Sequence, residues 1–476
     1  MSDRFVVLHG RVTSLVLERA GNAMLWRHWG ARLADGVEME PLVRPLPSFS
    51  LDHDIPLSVF PTFGMGWFGQ SALLAHREGR DFAQDFTAVL VEQVDAGTVR
   101  LKLIDDVAGI EVVVALALDP HTDVLTMSTV LTNTGDAPLD VQWLAAACLP
   151  LPPFARSVRS YGGRHNNEFV ESEDALGGAM WRRENRRGLP SHEDFPGSVV
   201  LGDNGGTWGA QLAWSGNHMQ TIEPLDNGRR QWQIGEWLAP GEIRLAPGET
   251  LHSPEVLATY SPDGANGIAQ NFHAAVRARM DWPGGKMRPR PVHLNTWEAL
   301  YFNHNPDDLK SLADAAAAVG IERFVLDDGW FKGRNDDTSS LGDWTTDLSK
   351  YPEGLSPLAD HVVALGMEFG LWVEPEMVNP DSDLYRAHPD WALQIARRPL
   401  PTARYQLVLD MARPEVADYL FDALSALLTD LPISYLKWDH NRALAPAAGA
   451  NGRPAYRKQI LGTYALLDRI RAAFPD

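Results

Sequence analysis

The sequence predicts a multidomain protein of β plus α/β class. An N-terminal antiparallel β-sandwich is expected over residues 1–282, followed by an incomplete (β/α)8 barrel over residues 283–476. Three observations predict this. The first half is a succession of short β-rich runs closed by turn residues. Beyond residue 290 short apolar strands alternate with helical patterns, the grammar of a parallel sheet covered by helices. Several of those later strands end in polar groups, as strands do at the C-terminal face of a barrel.

In chain order, VRLKLI sets Val99, Leu101 and Leu103 on one face of a strand and Arg100 and Lys102 on the other. GIEVVVALAL and DVLTMSTVLTNTGD continue the β-rich series, and short runs recur to about Tyr260. A linker helix is expected over 264–281, with Ile268, Phe272 and Val276 at helical spacing, and the Pro/Gly-rich DWPGGKMRPRP then reads as a linker with the domain boundary near Trp282. Five barrel strands are expected after it: Pro291–Trp297, Arg323–Trp330, Glu368–Glu376, Tyr405–Met411 and Ile433–Asp439. Mostly helical patterns lie between them, so residues 283–476 read as the first five βα units.

Composition narrows the partners. A net charge of −20 repels phosphate backbones and anionic membranes, so nucleic acid and lipid head groups are excluded as natural ligands. Cys148 is the only cysteine, which rules out an internal disulfide and a Cys-cluster metal site. The start MSDRFVVLHGRVTS lacks the basic-then-apolar pattern of a secretion signal, no apolar run reaches membrane-spanning length, and a cytoplasmic location is expected. No G-x-G-x-x-G follows the first barrel strand and no Walker A sequence occurs. Sixteen tryptophans with scattered carboxylates suit either the apolar faces and hydroxyls of sugars or a large aromatic core.

The strand ends hold the candidate chemistry. Asp327 and Asp328 are adjacent and would face opposite sides of a continuing strand; Gly329 lets the strand end there, while an Asp-Gly turn is the plain alternative. In WVEPE, Trp372, Glu374 and Glu376 alternate onto one side, but Pro375 ends regular pairing and either glutamate reads equally as a loop-holder. In YLKWDHNR, Lys437, Asp439 and Asn441 share a face, and a lysine beside a carboxylate would keep that carboxylate ionised as a nucleophile or charge stabiliser. A salt bridge at a strand end is the alternative. His440 points the other way and is not taken as a base.

Four motifs in order, NTWEALYF, LDDGWF, WVEPEMV and YLKWDHNR, resemble the family 36 glycoside hydrolases, the bacterial α-galactosidases that cleave raffinose and melibiose. GRHNNEFVE, LPSHEDFP, LAPGETLHSPEVLATYS and GIAQNFH extend the resemblance through the first half. It implies retaining cleavage of terminal α-D-galactosyl residues without a metal or cofactor, on a small-molecule α-galactoside substrate, with homo-oligomers, tetramers among them, in many relatives. It implies that Asp439 is the nucleophile, that Asp327 and Asp328 bind the galactose hydroxyls, and that Lys437, Asn441, Trp297, Trp372 and Arg404 contact the sugar.

The resemblance also sets expectations of what is lacking. A retaining glycosidase needs a second carboxyl about 5 to 5.5 Å from the nucleophile, and the family's aspartate for that role follows a further barrel strand with no counterpart after Asp439. The chain therefore reads as the first two-thirds of a family member, without the remaining barrel and C-terminal β-domain, and reduced activity is expected. Where many relatives carry Gly-Asp-aromatic-Arg, this chain has Gly66-Trp67-Phe68-Gly69, which leaves oligomeric contribution open. A relative acting on α-N-acetylgalactosaminides or transferring galactosyl groups, and a galactoside-binding protein without turnover, are the alternatives.

Overall fold

Alternating burial organises the first half. In strand Thr98–Asp105 the side chains of Val99, Leu101 and Leu103 are buried, whereas Arg100 is exposed and Lys102 reaches Glu111 on the next strand at 2.7 Å. Strand Ile110–Leu118 keeps the same period along its whole length and pairs antiparallel with Thr98–Asp105 and Val124–Asn133. These belong to a ten-stranded antiparallel sheet; a four-stranded sheet is built from Ala147–Leu151, Arg230–Glu236, His218–Pro224 and Trp181–Asn185. The computed structural model describes residues 4–40, 46, 48–49, 51–53, 55–189, 193–225, 228–282 and 285–475, and the chain divides into units Met1–Met280 and Asp281–Asp476. Residues 283 and 284 of the expected linker, and 190–192 of LPSHEDFP, lie outside the described residues.

The departure at Gly66-Trp67-Phe68-Gly69 sits beside a buried polar face. Gln70 donates its amide to Glu223 at 2.6 Å, and its carbonyl accepts from Gln231, Gln233 and the Trp67 indole at 2.9, 2.7 and 3.2 Å. Trp67 is therefore core, while Phe68 is 84% exposed. The expected linker helix runs Gly264–Arg279. Ile268 is buried and Phe272 packs on Val124, Leu257 and Ala275, but Val276 is exposed, so the buried stripe is narrower than the spacing suggested.

In the second unit, His293–Asn295, Arg323–Leu326, Glu368–Val373 and Ile433–Trp438 form a parallel sheet in that order. Each strand is shorter than its apolar run, because the polar residues at its end leave the ladder. The expected strand Tyr405–Met411 is the exception and a correction to the five-unit reading. Only Leu407–Val408 is extended there, and it pairs antiparallel with Met377–Val378 outside the parallel sheet. The edge of Glu368–Val373 that it would have occupied is taken by Ile433–Trp438. Arg404 and Tyr405, with φ of 51° and 58°, turn the backbone out of the extended region just before it. Trp297 likewise opens a short helix, Trp297–Leu300, instead of closing a strand.

Helices cover this sheet through narrow apolar stripes. Pro414–Asp430 buries Val416, Leu420, Leu424 and Leu427, and Tyr456–Ala473 buries Ile460, Leu466 and Ile470. Each fully buried aliphatic side chain contributes roughly 1.5–3 kcal/mol. Asn305 caps Pro306–Ala318 by accepting from the amides of Asp307 and Asp308 at 2.9 and 3.4 Å, with Pro306 pre-set in the first turn. Trp330, Trp344 and Trp372 join the central cluster, so these tryptophans are core before they are anything else. Among the described residues no helix is long and apolar enough to cross a membrane.

Candidate active site

The strand Arg323–Leu326 stops one residue before the aspartate pair, and the turn that follows is fixed from behind. The Asp327 amide donates to Thr296 Oγ1 at 2.9 Å, and the Asp328 amide to Asp327 Oδ1 at 2.8 Å. Gly329 has φ 118°, and a Cβ there would lie 3.1 Å from His304 Nε2 and 3.2 Å from Phe302 Cα, so only glycine fits this close turn. The Lys350 ammonium donates to three carbonyls, those of Phe302, Gly329 and Arg334, at 3.2, 2.8 and 2.6 Å. One cation thereby ties the aspartate turn to two neighbouring loops.

Both aspartates are buried, and each meets its own cation. Asp328 receives Arg334 in a two-pronged pair, Nε to Oδ1 at 2.9 Å and Nη2 to Oδ2 at 2.8 Å. Arg334 is wholly buried and also donates to Ser339 O and Asn379 Oδ1. Burial pushes the Asp328 carboxyl above its ordinary value, with Arg334 pulling the other way. Asp327 Oδ2 accepts from Lys437 Nζ at 2.6 Å. That contact departs from the expectation that Lys437 lies against Asp439. Lys437 is level with Trp372 across the sheet, and Leu326, just before Asp327, is level with Leu371. The long lysine stem thus spans sideways to a carboxylate that would otherwise be buried without a counter-charge.

Asp439 follows the strand Ile433–Trp438 and is half-buried. Its Oδ2 accepts from the Trp372 indole at 3.1 Å and from Asn441 Nδ2 at 2.7 Å, and its Oδ1 from the His440 amide at 2.9 Å. Three donors fix the carboxylate, and it forms no ion pair among the described residues.

Glu374 and Glu376 part company. Glu374 Oε1 accepts from the Asn441 amide at 2.7 Å and Oε2 from Gln406 Nε2 at 3.0 Å. Burial is the first cause that lifts its pKa to about 7; the Asp439 and Asp328 charges add to it, while the Asn441 amide and Arg404 oppose. Glu376 instead accepts from the Trp438 indole and from Thr463 on the last helix, with His440 Nδ1 at 3.9 Å, which keeps both His440 and Glu376 on the structural side. Arg404 is exposed on the turn before Gln406 and forms no hydrogen bond or ion pair among the described residues, although its charge reaches Asp328 and Glu374. Arg442 holds that turn by donating to the carbonyls of Gln406 and Pro401.

The structure thus joins Asp327, Lys437, Trp372, Asp439 and Asn441 by direct hydrogen bonds or strand register, and brings Asp328 in through its neighbour. Trp297 is linked less directly: its ring meets Phe302 at 5.1 Å, and Phe302 lies 5.4 Å beneath the Arg334 guanidinium. Arg334, Lys350 and Gln406 were not legible beforehand, because each acts from a loop whose sequence has no period. Among the described residues no group of three or more His, Cys, Asp and Glu is placed to hold a metal ion.

Comparison with known proteins agrees with this layout. The family described as Melibiase matches residues 250–476, and the Glycosyl hydrolase family 36 N-terminal domain matches residues 22–246. An α-galactosidase of Escherichia coli is 42% identical over 484 residues, covering 100% of this chain and 67% of its own length. Among solved structures, the galactosidase domain of the α-galactosidase-sucrose kinase AgaSK superposes with a TM-score of 0.90 at 31% identity, covering 99% of this chain and 70% of that one. The family 36 α-galactosidase AgaA of Geobacillus stearothermophilus gives 0.92 at 30% identity, with 99% and 71% covered; variants of AgaA have been solved with stachyose and with raffinose. Against its full sequence this chain spans 56% of AgaA.

Proposed function

This chain belongs to glycoside hydrolase family 36, the α-galactosidases, and we propose that its site binds a terminal α-D-galactosyl residue and attacks the anomeric carbon with Asp439 in a retaining double displacement. The parallel sheet of the second unit is read as part of a (β/α)8 barrel, and the first unit as a β-sandwich. Collecting Asp327, Asp328, Glu374 and Asp439 from three successive strand ends is what the C-terminal face of such a barrel does.

The observation that carries the reading is the carboxylate of Asp439, fixed by Trp372, Asn441 and the His440 amide with no cation on it among the described residues. Attack by one oxygen forms a covalent glycosyl ester as the bond from the anomeric carbon to the leaving oxygen breaks, water then displaces the carboxylate, and the two side-chain donors on Oδ2 hold the group in a single rotamer. Asp327 and Asp328 accept hydrogen bonds from galactose hydroxyls, each oriented by its cation. Lys437 and Asn441 donate to the sugar, Trp297 and Trp372 supply aromatic surface, and Arg404 approaches from its exposed turn. Raffinose, stachyose and melibiose are the substrate class this implies.

Protonating the leaving oxygen is a separate task. Asp327 and Asp328 are each committed to a cation and Glu374 to its contacts with Asn441 and Gln406, so none of these carboxyls is assigned as the acid. The test is Asp439→Gly with an activated aryl α-galactoside and azide. Recovery of β-galactosyl azide supports the assignment. A mechanism-based label that attaches to Glu374 in the parent protein overturns it.

A further inference from the structure

We propose that Glu374 is a positioning residue of this site: one carboxyl oxygen holds the backbone of Asn441, which orients Asp439, and the other holds Gln406, which sets the turn carrying Arg404. The inference rests on the reading of Asp439 as nucleophile and extends it to a residue that touches neither the sugar nor the reacting atoms.

The geometry makes Glu374 a hub between the segment after Asp439 and the turn at Gln406. Its Oε1 takes the Asn441 amide at 2.7 Å, and the side chain of that same Asn441 donates to Asp439 Oδ2 at 2.7 Å. Its Oε2 takes Gln406 Nε2 at 3.0 Å. The carbonyl of Gln406 is in turn held by Arg442, three residues beyond Asp439. A shift of Glu374 therefore moves the nucleophile's donor and the arginine's turn together, and a displacement of about 1 Å at a reacting group costs on the order of 100-fold in rate.

Charge counting says in which form Glu374 does this. Asp327 is paired with Lys437 and Asp328 with Arg334. Asp439 and Glu374 form no ion pair among the described residues, and Arg404 is the cation whose charge reaches Glu374. Glu374 is 1% exposed and Asp439 half-buried, so the proton belongs on Glu374. Groups facing it are Asp439 after the fourth strand, Asp328 after the second and Arg404 on the turn; the two aspartates disfavour its ionisation and the arginine favours it, with burial the larger effect. Gln406 Oε1 is buried without a hydrogen-bond partner. Turned over, the Gln406 amide presents that oxygen to the hydroxyl of a protonated Glu374.

The experiment uses the 476-residue chain with Glu374→Ala, Glu374→Gln and Gln406→Ala, measured for turnover of p-nitrophenyl α-galactoside from pH about 5 to about 9, for 1-deoxygalactonojirimycin binding by calorimetry, and by crystallography. Glu374→Ala is expected to lower kcat by about 10- to 100-fold with KM within about threefold, and its crystal structure to show Asn441 withdrawn from Asp439. Glu374→Gln, permanently neutral, is expected to recover most of that loss at acid pH and to carry activity to higher pH than the parent. Gln406→Ala is expected to weaken inhibitor binding through the Arg404 turn. An unmoved Asn441 in Glu374→Ala overturns the proposal, as does a Glu374→Gln pH profile that matches the parent. The nucleophile reading is decided separately, by where a mechanism-based label attaches, and if the parent chain neither binds the inhibitor nor turns over, the Asn441–Asp439 geometry of the alanine variant still decides the positioning role.

Discussion

Lys437 Nζ lies 2.6 Å from Asp327 Oδ2, on the far side of an intervening strand, and not on Asp439 two residues along its own chain. The relation ties the carboxylate proposed to bind the sugar to the strand that ends at Asp439. Its neighbour Asp328 has a separate and deeper partner in Arg334. Two ion pairs of similar length thus differ in solvent access.

That difference predicts their stabilities. The side chains of Arg334 and Asp328 are 1% and 6% exposed, whereas Lys437 is 34% exposed above a buried Asp327. Removing one partner of a fully buried pair costs about 3–5 kcal/mol, because the other charge is left uncompensated. Arg334→Met should therefore lose about that much in urea unfolding, and Lys437→Met clearly less, since water can replace part of the lost contact. Equal losses would mean that burial is not what separates the pairs.

Trp372→Phe keeps an aromatic ring in the core, smaller than the original, and removes the indole donor to Asp439 Oδ2. A hydrogen bond to a charged group is worth about 1.5–3 kcal/mol. The variant should lose roughly 10- to 100-fold in kcat beyond the loss of stability that the smaller ring causes in the core, read by steady-state kinetics beside thermal unfolding. A fall in stability with kcat preserved would make Trp372 a core residue alone.

Glu374 gives a pH dependence with a defined sign. Its folded pKa is raised from 4.5 to about 7, so the folded state binds the proton more tightly than the unfolded chain. The stabilisation is complete below about pH 4.5 and is lost as pH rises through about 7, roughly 3 kcal/mol in all. His304, lowered by burial to about 4, works in the opposite sense, adding stability as pH rises toward 6.5. The difference in urea midpoint between the parent and Glu374→Gln, followed across this range, isolates the first effect. A pH-independent difference would show that Glu374 ionises normally.

Substrate dependence tests which group protonates the leaving oxygen. Protonation by a positioned acid typically supplies about 10²- to 10⁴-fold. With no free carboxyl assigned to that task among the described residues, an aryl galactoside with a good leaving group should react far faster than raffinose or melibiose. A ratio near one would place an acid within this chain, with Glu374 the first residue to mutate.

What the sequence determined by itself was the kind of chain and the order of its chemistry. Period-two alternation in VRLKLI, the helix after Gly264, and the polar ends of the apolar runs at Asp327, Glu374 and Asp439 are local facts, written in residues that neighbour one another. What it could not determine was partnership. Lys437 stands two residues from Asp439, yet strand register carries its ammonium to Asp327, which is far away in sequence. Tyr405–Met411 has a strand's composition, yet the place beside Glu368–Val373 is filled by Ile433–Trp438, and the turn at Arg404 diverts it. Glu374 and Glu376 are alike in WVEPE, and only tertiary packing sends one to Asn441 and the other to Thr463. Periodicity encodes which face a residue occupies. Which charge it meets there depends on strand order and on loops such as those of Arg334 and Gln406, and these are decided only when the sheet is assembled.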